Sequence, residues 1–259
     1  VAFYPLGDNS SGNPLTQPNE AVEDASVFDF DGNGDFITLN NIQSFSQEFS
    51  ISMWINPDDN TDVNLLGNSS VIANFLFINA SNQLQIASPD IATTFTNTTF
   101  STGSWQHILL TRDSSNVFKA YKNGNLTDTS SADAGSFAFN QIGRYGSVNT
   151  FDFDGEISNV AVWNSDQSSE ISNIYNSGVP ATTYTNTPTA WYKLDQSANW
   201  DVSGSGYWDV PDASGNGNDG ISSGMTSANL VLTDLTRNLP YDSYSFNFDA
   251  ASGDYIQTT

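Results

Sequence analysis

A chain of 259 residues with 29 acidic side chains against six basic ones, a net charge of −23 and no cysteine closes off several classes at once. So acidic a surface repels phosphate backbones and anionic lipid; no apolar run is long enough to cross a bilayer; disulfides, thiolate nucleophiles and Cys-held metals are impossible. At 37% hydrophobic, 13% aromatic and 14% charged, what remains is a turn-rich β protein whose rings supply the core.

In chain order, Val1-Ala2-Phe3-Tyr4-Pro5-Leu6 reads as an edge strand, because Pro5 cannot donate to a ladder. Residues 8–14 make a turn, and Phe28-Asp29-Phe30-Asp31, Gly32-Asn33-Gly34 and Asp35-Phe36-Ile37 read as strand, turn and strand. Phe49, Ile51, Met53 and Ile55 alternate with polar neighbours and share one face. Further strands are expected at 71–78, 83–87 and 95–100. Segments 103–111, 118–126 and 151–164 then read as three consecutive antiparallel strands, with a tight turn at Asn123-Gly124, where both residues tolerate φ > 0. Ser165-Asp166 followed by Ile171, Ile174 and Tyr175 predicts a short helix that Gly178 ends.

Three motifs in this order carry a resemblance: Gly103-Ser104-Trp105-Gln106-His107, Tyr121-Lys122-Asn123-Gly124, and Asp154-Gly155-Glu156-Ile157-Ser158-Asn159-Val160. Together they resemble the laminin G-like branch of the concanavalin A-like lectin/glucanase sandwiches, over most of residues 1–178. The resemblance implies an all-β, two-sheet antiparallel jelly-roll sandwich. That fold hosts lectins, hydrolases, adhesion modules and spacers, so it fixes no activity by itself.

Residues 179–188 read as a linker, after which the opening returns. Ala190-Trp191-Tyr192-Lys193-Leu194 answers Ala2-Phe3-Tyr4-Pro5-Leu6, and Phe246-Asn247-Phe248-Asp249 answers Phe28-Asp29-Phe30-Asp31. The expected organisation is therefore a sandwich over 1–178, a linker over 179–188, and the first strands of a second, similar domain over 189–259. A third of a sandwich cannot bury its own face. Either the native chain runs on past Thr259, or the tail docks on the first sandwich or on another subunit. The tail's Ser223-Gly224-Met225-Thr226-Ser227-Ala228-Asn229-Leu230 also resembles repeats of marine phage structural proteins, which implies a virion setting; a bacterial adhesin fits the same composition.

Catalysis finds little support in these residues. His107, the single histidine, lies inside a strand and reads as a packing residue. Glycoside hydrolases of this fold carry Glu-x-Asp-x-Glu on one strand; here Glu156 is followed by Ser158 and Val160, so the second and third acids are missing. For glycan binding the best candidates are Arg144, Tyr145 and Asn149 in the loop 143–150, because sugars stack on rings and hydrogen-bond to planar polar groups. Trp200, Tyr207 and Trp208 come next.

Calcium is the one cofactor to weigh. The stretch Asp212-Ala213-Ser214-Gly215-Asn216-Gly217 resembles a loop by which relatives hold a structural ion, which assigns Asp195, Asp212 and Asn216 as ligands. The competing reading is an Asx-rich turn without metal. The expectation is a non-catalytic extracellular or virion-surface module, with a glycan or a cell-surface or coat protein as partner, self-association open, and no nucleic acid. The alternatives are a carbohydrate-active enzyme or its accessory module, and a subunit whose tail completes a neighbour.

Overall fold

The computed structural model describes residues 26–146 and 151–235. In chain order the strands are β1 (Ser26–Asp31), β2 (Phe36–Phe45), β3 (Phe49–Pro57), β4 (Val63–Gly67), β5 (Phe75–Ile78), β6 (Gln83–Ala87), β7 (Ala92–Thr99), β8 (Gln106–Arg112), β9 (Val117–Lys122) and β10 (Asn125–Ala132). There follow β11 (Phe137–Ile142), β12 (Asp154–Trp163), the helix α1 (Ile171–Tyr175), β13 (Ala190–Tyr192), β14 (Asn199–Asp201), β15 (Tyr207–Val210), β16 (Gly220–Ser223) and β17 (Leu230–Leu232).

These strands form two antiparallel sheets. The first runs β10-β9-β8-β3-β12-β1-β17, with β13 also on β12; the second runs β14-β15-β16-β2-β11-β4-β5-β6-β7. Alternation explains the sandwich between them. Phe49, Ile51, Met53 and Ile55 of β3 meet Ile37, Leu39, Leu65, Leu84 and Phe139 from the second sheet in one buried core. The two-residue period puts every other side chain of each strand on that face. The fold is thus the expected two-sheet jelly-roll architecture.

Several local expectations change. The segments 103–111, 118–126 and 151–164 are not three neighbours: β10 and β11 intervene in sequence, and β3 stands between β8 and β12 in space. The strand expected at 71–78 shortens to β5, because a turn closes from the Asn74 N–H to the Val71 carbonyl. Strand β4 went unpredicted. Its five residues are all buried, so no alternation marks them.

The expected linker is packed rather than free. The Tyr184 ring centroid lies 5.0 Å from both Trp163 and Trp191, and the Asn186 carbonyl accepts from the Trp163 indole at 2.8 Å. The segment expected to open a second domain joins both sheets of the first sandwich: β13 pairs with β12, β16 with β2, and β17 with β1. Composition alone cannot tell a spacer from a strap laid over a sheet.

Candidate functional site

The outer face of the first sheet carries the residues that matter. Ser50, Ser52, Trp54 and Asn56 alternate outward along β3, opposite the core positions. Trp54 is paired in register with His107 on β8 and with Ser158 on β12. Its ring lies 5.0 Å from the His107 ring, and Tyr175, at the end of α1, stacks on it at 5.8 Å with planes 17° apart.

The chain reverses around these rings by local means. Helix α1 stops where Asn176 takes a left-handed conformation, φ 48°. Gly124 has φ 79°, as the hairpin turn requires, and a Cβ there would stand 2.5 Å from the Tyr175 ring. One glycine therefore serves both the turn and the seating of Tyr175.

The third wall is Trp105, just ahead of β8. Its indole donates to Asp234 Oδ1 at 3.0 Å, in the stretch that follows β17. Leu235 packs there against Trp54 and Val27. The result is a pocket of about 180 Å³ lined by Trp54, Trp105, Tyr175, Asn123, Gly178, Asp234 and Leu235. Asn123 spends its Oδ1 on the His107 backbone N–H at 2.8 Å, which leaves its NH2 group for a ligand. Trp54 is 3% exposed, and its indole N–H has no acceptor among the described residues. A buried donor left so costs about 1–3 kcal/mol.

The field around this pocket is negative. Burial first, and then Asp29, Asp234 and Asp58, lift the Glu156 carboxyl above its ordinary range, against the pull of the Asn56 amide. Asp29 stands opposite Glu156 in register and is raised too, by burial and then by Asp58, Asp154 and Asp31. An anionic ligand would be repelled here.

His107 is the floor of the stack. It is fully buried, with Nε2 2.9 Å from Ser52 Oγ and Nδ1 without a partner among the described residues. Burial lowers its pKa to about 3. The unfolded imidazole takes a proton below about pH 6.5. Between those values the unfolded chain binds more protons, so His107's contribution is complete above 6.5 and is lost as pH falls to about 3.

Asp35 has the opposite sign. Burial first, with Asp31, raises it to about 6, so the folded state binds the extra proton from about 6 down to its ordinary 3.8. Glu156, Asp29, Asp152 and Asp154 are raised as well and share Asp35's sign, so His107 is isolated only by difference. His107→Gln should be weaker at neutral pH by about 1–2 kcal/mol, and its deficit against the wild type in urea unfolding should shrink as pH falls from about 6.5 towards 3. A deficit that stays constant across that range would clear His107 of responsibility.

The loop candidates read from the sequence are held by packing. Arg144 pairs with Asp152 at 3.3 Å and lies 4.1 Å over the Phe36 ring. Tyr145 sits 5.3 Å from Phe75 and 5.8 Å from Phe151, so its ring is spent on a cluster in which Phe151 is the exposed member. Asn149 lies outside the described residues. Trp208 is buried with its indole on the Thr226 carbonyl, Trp200 covers it at 5.3 Å, and Tyr207 donates to Asp201. Trp208 and Trp200 roof the core, while Tyr207 alternates to the other face of β15.

Asp195, Asp212 and Asn216 do not fit a calcium cage. Asp212 accepts from the backbone N–H groups of Trp191, Ser214 and Asn218 at 2.9, 2.9 and 3.0 Å. Burial works against ionisation, yet those donors hold its carboxyl below the usual value. Asp195 accepts from Ser197 N–H, and the Asn216 amide donates to the Thr189 carbonyl. Calcium needs six to eight free oxygens, and these are pinning a loop to β13. Among the described residues no three His, Asp or Glu side chains gather as metal ligands.

Comparison with known proteins agrees with the architecture. A family model described as the concanavalin A-like lectin/glucanases superfamily, Laminin_G_3, matches residues 31–172. Among solved structures, a candidate carbohydrate-binding protein from Bacteroides ovatus superposes with a TM-score of 0.64 at 20% identity, over 83% of this chain and 62% of its own. This chain thus spans less than two thirds of that protein. The extracellular region of zebrafish Gpr126/Adgrg6 gives 0.50 at 18%, over 73% of this chain and 26% of that one. Domain 4 of AbnA, a GH43 extracellular arabinanase from Geobacillus stearothermophilus solved with arabinotriose, gives 0.44 at 18%, over 57% and 75%. No curated protein matches.

Proposed function

We propose that this chain, a member of the concanavalin A-like lectin/glucanases superfamily, is a non-catalytic carbohydrate-binding module whose aromatic pocket takes the end ring of a neutral glycan. One observation carries the reading: a pocket walled by the rings of Trp54, Trp105 and Tyr175, with the Asn123 amide and the Asp234 carboxylate beside them. A sugar ring offers what such a pocket lacks. Its C–H face packs on the aromatic walls, and its hydroxyls can accept from an N–H while donating to a carboxylate.

Size and charge narrow the ligand. At about 180 Å³ the pocket is smaller than the roughly 300–1,000 Å³ usual for drug-sized ligands, which suits one terminal ring rather than a threaded chain. The carboxylates nearby disfavour uronates, sialic acids and sulfated sugars. Ser158 and Val160 in place of acids turn the reading away from a glucanase. An extracellular setting accords with a glycan ligand, and no helix among the described residues is long and apolar enough to cross a membrane.

A glycan array probed with the full chain tests this. Hits are expected among neutral, not anionic, termini and should be indifferent to calcium. Trp105→Ala and Tyr175→Ala should each weaken a titrated hit by at least about tenfold, as loss of an aromatic wall does. An array with no neutral hit, or a hit that survives both substitutions, would remove the pocket from the account. Release of reducing sugar that vanishes in Glu156→Gln would replace binding with hydrolysis.

A further inference from the structure

The β13 strand fills a slot on β12, and its residue pattern recurs once more in this chain. β13 pairs antiparallel with Val160, Ala161 and Val162, and β1 pairs antiparallel with 154–157 of the same strand. Both therefore run the same way along one edge of β12, end to end. Past Leu194 the Gln196 amide reaches Ser26 Oγ, the start of β1, at 2.8 Å. A segment leaving this slot stands where β1 begins.

The slot reads alternate positions. Ala190, Tyr192 and Leu194 are buried in the main core, while Trp191 faces outward against Ala161 and Trp163. In Ala2-Phe3-Tyr4-Pro5-Leu6 the corresponding alternate positions carry the same three residues: Ala, Tyr, Leu. Phe3 takes the place of Trp191 in the pattern. Pro5 stands for Lys193, whose contribution to the slot is its carbonyl, accepting from Asn159 N–H at 2.9 Å and Ser158 Oγ at 3.2 Å. Proline keeps that carbonyl.

We propose that the β12 slot has two interchangeable occupants, and that segment 2–6 of the same chain is the second. The 19 residues between 6 and 26 are chain enough to cross the short gap to β1 at little entropic cost. When 2–6 holds the slot, 190–194 is expelled as a strand with unpaired edges, free to add to another sheet. The slot thus decides whether 190–235 closes this sandwich or is offered to a neighbouring one.

The absence of cysteine makes a clean test. Position 3 in the slot would face Ala161, as Trp191 does, and cross-strand pairs lie within disulfide reach. Phe3→Cys/Ala161→Cys in the full chain should form an intramolecular disulfide under slow oxidation at least about tenfold faster than Thr16→Cys/Ala161→Cys, which probes loop collisions alone. Once formed, the bond should open 190–235 to limited proteolysis. Trp191→Cys/Ala161→Cys, which bridges the strand now in place, shows whether the Ala161→Cys substitution is compatible with folding. Should position 161 tolerate no cysteine, a peptide of residues 1–8 added to the native chain should increase cleavage within 190–235, and a scrambled peptide should not. A pair no faster than the Thr16 control, an interchain bond, or a peptide without effect overturns the proposal.

Discussion

Arg112→Ala should lower the unfolding free energy by about 2–4 kcal/mol, the cavity left by a large buried side chain together with its lost hydrogen bonds. Arg112 ends β8 with no exposed surface. Its Nε donates to the Gln47 carbonyl at 2.8 Å, Nη1 to the Gly135 carbonyl at 2.6 Å, and Nη2 also to Gln47. The guanidinium lies 4.9 Å from the Phe49 ring centroid and 5.7 Å from Phe118. Burial depresses its pKa, with Asp133 opposing, and a guanidinium still stays charged at any workable pH. The side chain therefore ties two loops to the core from inside. Alanine cuts the tie to both loops and leaves a void between two rings. Arg112→Met refills the void but not the hydrogen bonds and should recover about half the loss. Urea unfolding with an unchanged m-value measures both, and a loss below about 1 kcal/mol would mean that water reaches those carbonyls.

What the sequence disclosed depended on whether a side chain's environment is set by its near neighbours. Phe49, Ile51, Met53 and Ile55 announced their face because alternation is local and one face is buried. The Asn123-Gly124 turn and the packing role of His107 were legible for the same reason. The pocket was not. Trp54, Trp105, Tyr175 and Asp234 come from four separate places, and Tyr175 looked like one more member of the stripe formed by Ile171 and Ile174. The only local trace was a Trp among small polar residues on the outward side of β3. For Arg144 and Tyr145 the loop position was legible but the partners were not: Asp152, Phe36 and Phe75, which half-bury them, come from other parts of the chain. Residue pattern also states that a strand wants a slot without stating whose. Ala190, Trp191 and Tyr192 matched the chain's own opening, and only the register against Val160–Val162 shows which strand they join.

The doubly substituted chain Tyr4→Ala/Tyr192→Ala is expected to lose about 3–5 kcal/mol, the usual consequence of removing a large buried ring. Tyr192 is wholly buried in the main core, and its hydroxyl donates to the Asn218 carbonyl at 2.7 Å. Burial first, and then Asp212 and Asp219, push its pKa far up, so it stays a neutral donor. Alanine would leave a ring-sized cavity and an orphaned carbonyl beneath the loop that Asp212 holds together. Tyr4→Ala alone should cost less than about 0.5 kcal/mol, since Tyr192 already fills the slot. The informative value is Tyr192→Ala alone. With segment 2–6 able to step in, its loss should fall short of the double variant's by about 1 kcal/mol or more, well outside the roughly 0.3–0.5 kcal/mol within which independent sites add. If single and double coincide, Tyr4 never reaches the slot. If both cost under about 1 kcal/mol, β13 contributes nothing to this core, and 189–259 belongs to a unit of its own.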